Sequence, residues 1–122
     1  MSDDIKMEPV NIEGVFVSSK AMNHNEGKPR PSLVLVDTPN ALAEEIKVSE
    51  LGAKEYGRDN WEGGGEEFLA DNLDSILRHI LAYAGGQVID PKSGCHHLAH
   101  VRRRCAIALE HWSRTLESEK PL

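Results

Sequence analysis

Three stretches of the chain repeat apolar side chains at helical spacing, each bounded by residues that start or stop helices. Thr38 has N-cap chemistry and Pro39 suits a first helical turn, so the first predicted helix runs to Tyr56 and stops at Gly57. Its apolar arc is Leu42, Ile46, Ala53 and Tyr56, with Glu45 on the border and Glu44 pointing away. Gly57 to Gly65 reads as a loop around Asn60 and Trp61, and the run Gly63-Gly64-Gly65 reads as a flexible hinge. The second predicted helix spans Glu66 to Ala84 with the stripe Leu69, Leu73, Ile76, Leu77, Ile80 and Tyr83. Asn72 and His79 border that stripe on one side, and Asp74 and Arg78 are spaced to pair on the other. Gly85-Gly86 ends it, and Asp90-Pro91 opens a third helix reaching Ser118, with Gly94 placed to bend or delay that start.

The third helix carries an apolar ridge, Leu98, Val101, Cys105, Leu109, Trp112 and Leu116, beside a polar stripe, His97, His100, Arg104 and His111. At about 100° per residue the four polar positions fall within roughly 60° of one another. Imidazoles and a guanidinium without acidic neighbours point to an anion or a metal. As phosphate ligands, His97, His100 and Arg104 supply converging donors. As a zinc pair, His96 and His100 have i, i+4 spacing, but no cysteine or further histidine stands obviously close. A third reading makes the stripe a polar border against another subunit. Lys28 and Arg30, in a proline-rich loop, either close over the same anion or are solvated loop charges.

Residues 1–37 hold the runs Gly14-Val15-Phe16-Val17 and Ser32-Leu33-Val34-Leu35-Val36, which predict extended structure or a small hairpin. Leu33 to Val36 equally fits a buried lead-in to the first helix. With 122 residues and 39% hydrophobic content, the chain suits one domain with one modest core. The expected fold is mainly α: a compact three-helix bundle over 38–118 with an extended N-terminal segment, oligomerising to bury leftover surface. A net charge of −6, from 20 acidic and 14 basic side chains, argues against nucleic-acid polymers and anionic membranes, so an anion must be bound locally. No apolar run approaches the roughly 18 residues of a membrane span, and the first residues lack signal-peptide character, so a cytoplasmic protein is expected. Cys95 and Cys105, about 15 Å apart on one helix, are expected to stay reduced. No Walker loop, dinucleotide fingerprint or nucleophilic constellation is present.

Several short motifs occur in order: Gly27-Lys28-Pro29-Arg30, Ala53-Lys54-Glu55-Tyr56-Gly57 with Asn60-Trp61, Arg78-His79, Asp90-Pro91-x-Ser93-Gly94, and His97-Leu98-Ala99-His100. Over residues 26–112 the chain resembles the phage-encoded family of dATP/dGTP diphosphohydrolase N-terminal domains, linked to the all-α MazG-like nucleotide pyrophosphohydrolases. The resemblance implies hydrolysis of a purine deoxynucleoside triphosphate to monophosphate and pyrophosphate, with Mg²⁺ held by carboxylates. It places the metal on Glu45 and Asp74, with Glu45 and His79 as catalytic groups. Lys28, Arg30, Arg78, His97, His100 and Arg104 would then meet phosphates, and Asn60 and Trp61 the base.

The chain departs from that pattern, which pairs Glu-x-x-Glu on one helix with Glu-x-x-Asp on the next. Val48 stands where a second glutamate would follow Glu45, helix two offers Asp71 and Asp74, and Gln87 and Lys92 replace glutamates of related proteins. These losses favour a second reading: a binder without turnover that sequesters a cyclic or other nucleotide signal, as a phage anti-defence protein. A small oligomeric interaction protein without nucleotide is a third. Blander roles are available for single residues: an Asp74–Arg78 surface pair, a His79 satisfied by a backbone carbonyl, a Trp61 that plugs the core and an Asn60 that caps a loop.

Overall fold

The computed structural model describes residues 10–12, 15–17, 24 and 26–118. Two compact units divide between Arg30 and Pro31. In the first, β1 (Val10–Ile12) pairs antiparallel with β2 (Val15–Val17), and Asn11 lies opposite Phe16. The N-terminal reading at residues 1–9, 13–14, 18–23 and 25 lies outside the described residues.

The second unit is helical: α1 (Ser32–Leu35), α2 (Pro39–Tyr56), a 3-10 turn at Asn60–Gly63, α3 (Glu66–Ala84) and α4 (His97–Ser118). The run Leu33 to Val36 is therefore not a strand. Pro31 already sits in the helical region, and its carbonyl accepts from the N–H groups of Val34 and Leu35, so the run coils into a lead-in to α2. That lead-in is exposed rather than buried: Leu33, Val34, Leu35 and Val36 are between 53% and 65% accessible. Thr38 occupies the N-cap of α2, but its hydroxyl donates back to the Val34 carbonyl at 3.2 Å and leaves the helix N-terminus uncapped by a side chain.

α2 and α3 keep the bounds that their flanking residues predict, whereas α4 starts at His97 rather than at Asp90-Pro91. Asp90 builds a turn instead. Its side chain accepts from the Lys92 N–H and the Ser93 hydroxyl, its carbonyl accepts from the Gly94 N–H at 2.7 Å, and its own N–H reaches the Cys95 carbonyl. Gly94 takes φ +76°, which glycine adopts without strain, and an antiparallel bridge between Ile89 and His96 closes the loop.

α4 is the central rod. α3 runs antiparallel to it, and α2 packs against it separately. The core is small: Val48 of α2 meets Cys95 and Ala99, and Ile76 of α3 is also buried. α3 and α4 meet through their polar stripes, burying Asn72 at 2% and His97 at 4% exposure, while Leu109 and Trp112 remain 64% and 60% exposed. Among the described residues no helix is long and apolar enough to cross a membrane.

Candidate functional site

The α3–α4 seam gathers the chemistry. His79 of α3 stacks on His100 of α4 with ring centroids 4.3 Å apart and 2° between planes, and its Nδ1 lies 2.8 Å from Nδ1 of His97. The Gln87 side-chain oxygen faces His97 Nε2 at 2.7 Å, so that nitrogen carries the proton. His97 Nδ1 then accepts from His79 Nδ1, and the unprotonated Nε2 of His79 is left available. Burial holds the His79 imidazole down to about 4, and the nearby His100 and His97 rings add to the effect. It is neutral near pH 7. His100 Nε2 meets the Ser93 hydroxyl at 2.7 Å, and that hydroxyl donates to Asp90 Oδ2 at 2.9 Å. Burial also lowers His100, against the pull of Asp90. Burial by itself would raise Asp90, but the Ser93 hydroxyl and the Lys92 N–H outweigh it and hold the carboxyl below its usual range.

About two turns from His97 along the seam, Arg104 Nη1 donates to Asn72 Oδ1 at 3.0 Å and Asn72 Nδ2 donates back to the Arg104 carbonyl at 3.1 Å. The Nε of Arg104 is buried and meets no hydrogen-bond partner. Burial, then the positive charge of Arg78, lowers the Arg104 pKa. Asp74 and Arg78 do not form the pair their spacing allows: both are exposed, and neither takes part in an ion pair among the described residues.

The far end of the seam is formed by the glycine run. Gly64 is no hinge here: a Cβ on it would stand 2.5 Å from Phe68 Cβ, and its carbonyl takes a 3.3 Å bond from His111 Nε2. Beside it Trp61, Glu62, His111, Arg114 and Thr115 line a shallow concavity of about 170 Å³. Arg114 lies over the Trp61 ring at 5.1 Å and is held by Glu62 and Glu110. Trp61 Nε1 is the other buried donor without a partner, and Asn60 is exposed on the same turn.

Glu45 is engaged elsewhere, its Oε1 accepting from Arg102 Nε at 2.6 Å, which ties α2 to α4. Asp74 projects from α3, and among the described residues no group of three or more His, Cys, Asp or Glu is placed to hold a metal ion. Lys28 and Arg30 are exposed residues of the first unit. Sequence reasoning found the histidines and Arg104 but missed the groups that orient them: Gln87, Ser93 and Asp90 sit in a loop with no periodicity, and Asn72 was read only as a border position. Arg102, the partner of Glu45, carried no signal beyond its charge.

A curated relative from Salmonella phage PMBT28, named dATP/dGTP diphosphohydrolase, is 38% identical over 68 residues, covering 56% of this chain. The chain spans only 22% of that relative's length. No solved structure matches. The model of the family described as "dATP/dGTP diphosphohydrolase, N-terminal" matches residues 18–120, and the chain belongs to that family.

Proposed function

We propose that the protein binds the phosphates of a purine deoxynucleoside triphosphate and hydrolyses it to monophosphate and pyrophosphate. The observation that carries this reading is the Arg104 guanidinium on the polar seam. In a chain of net charge −6, its buried Nε lacks an acceptor and its charge is opposed by that of Arg78, a surrounding that a phosphoryl oxygen would complete. The relative's name supplies the substrate class. His79, neutral and with an unprotonated Nε2, can accept a hydrogen bond from an attacking water and orient it, and His97 with Gln87 fixes its tautomer. Trp61, beside His111 and under the Arg114 guanidinium, borders the concavity where a base would lie. With the carboxylates not converging, no step is assigned to Mg²⁺, and Glu45 is read as a link between helices.

Purified protein incubated with each of the four deoxynucleoside triphosphates, with and without Mg²⁺, tests the proposal through pyrophosphate release. Release from dATP and dGTP, with kcat/KM falling about a hundredfold in Arg104→Gln, is the expected result. Tight binding with every nucleotide recovered intact would leave the non-hydrolysing binder as the function.

A further inference from the structure

Arg114 lies across the indole face that borders the concavity. Its guanidinium carbon stands 5.1 Å from the centre of the Trp61 ring, its Nη1 donates to Glu62 Oε2 at 2.9 Å, and its Nε donates to Glu110 Oε2 at 3.0 Å. Trp61 and Glu62 come from the 3-10 turn at Asn60–Gly63, whereas Arg114 comes from the last turns of α4. A guanidinium is also a fragment of guanine. The N1–C2–N2 edge of that base carries parallel N–H donors on a planar, delocalised system, as the arginine head group does. From this correspondence we infer that Trp61 and Glu62 form a guanine-selecting subsite, which Arg114 plugs until a base displaces it. The inference rests on the nucleotide reading above and adds to it a preference within the purines.

The ring of Trp61 supplies a stacking face that any base can use, so it selects nothing by itself. Selection falls to Glu62. A carboxylate accepts hydrogen bonds and cannot donate them, so it pairs with the N1–H and N2–H groups of guanine but meets the bare N1 acceptor of adenine. A site built to accept those donors rejects the base that lacks them. The plug is weakly held. The side chains of Arg114, Glu62 and Glu110 are 53%, 42% and 52% exposed, and exposed ion pairs of this kind contribute little. Glu110 stands one turn before Arg114 on α4, so a displaced guanidinium can keep that partner while it gives up Glu62 and the ring.

Equilibrium titration of the full chain with the α,β-methylene analogues of dGTP, dITP and dATP, which cannot release pyrophosphate, is the test. Guanine presents both edge donors, hypoxanthine keeps N1–H alone and adenine presents neither. The wild type is expected to bind the three in that order, with at least about tenfold between the first and the last. Glu62→Gln should flatten the series, because an amide offers one acceptor and one donor and so pairs with either purine. Arg114→Ala should keep the order and tighten each analogue by about threefold, since the competitor for the ring is gone. The wild-type series needs no variant, so it decides even where Glu62→Gln loosens the turn. Equal affinity for the three bases, an unchanged preference in Glu62→Gln, or binding that is unaltered or weaker in Arg114→Ala would each overturn the plugged subsite and leave nucleotide binding standing. Failure of every analogue to bind would overturn both readings.

Discussion

Arg104 concentrates the electrostatic argument in one side chain. Its Nη1 is satisfied by Asn72, its Nε is buried without an acceptor, and the positive charge of Arg78 opposes its own. A buried donor left unpaired costs about 1–3 kcal/mol, so an oxyanion that completes it should raise stability as well as bind. Inorganic pyrophosphate is therefore expected to raise Tm in the wild type and to raise it much less in Arg104→Gln, read by differential scanning fluorimetry. His79 gives a second test at this scale. Its value of about 4 lies below the ordinary 6.5, so the folded state resists protonation: stability is complete above pH 6.5 and declines as the pH falls towards 4. His79→Gln keeps a donor for His97 while removing the titration, and the acid slope of stability should become shallower in urea titrations. Gly64→Ala is expected to cost about 1–3 kcal/mol, because the added methyl meets Phe68 Cβ at 2.5 Å and Phe68 must move.

At the scale of elements, the seam between α3 and α4 is held by complementary polar pairs rather than by apolar packing. Asn72→Asp separates the two roles of that seam. A carboxylate facing Arg104 keeps the bond from Nη1 and neutralises the anion site but gives up the bond that Nδ2 donates to the Arg104 carbonyl, so pyrophosphate should no longer shift Tm and stability should fall by about 1–3 kcal/mol. The bounds of α2 and α3 were legible in the sequence because Pro39, Gly57 and Gly85 act locally. The start of α4 was not, because Asp-Pro chemistry serves a turn as well as a helix, and here long-range contacts decide: the His97 N–H donates to the Val88 carbonyl, and His100 reaches back to Ser93. Helical periodicity likewise revealed two stripes on α4 but not which one meets α3. That choice rests on Asn72, His79 and Gln87, partners supplied from elsewhere in the chain. The same limit applied to Glu45. Its place at the border of an apolar arc was readable, but its engagement by Arg102 was not, because that partner lies on another helix.

The whole helical unit is organised by its central rod. α3 and α4 are joined by the loop of residues 85–96 and touch along their length, whereas α2 reaches α4 from far along the sequence through a small cluster, Val48 with Cys95 and Ala99, and through the Glu45–Arg102 pair. Local unfolding follows such boundaries. Amide hydrogens of Pro39–Tyr56 should therefore exchange faster than those in the middle of α3 and α4, and Arg102→Ala should widen the gap without altering protection in the other two helices. A chain built this way can release one arm and keep the remaining pair intact. Limited proteolysis would be expected to strike first near Asp59, whose φ of +63° in the connector after α2 is an unusual backbone state for a residue with a side chain.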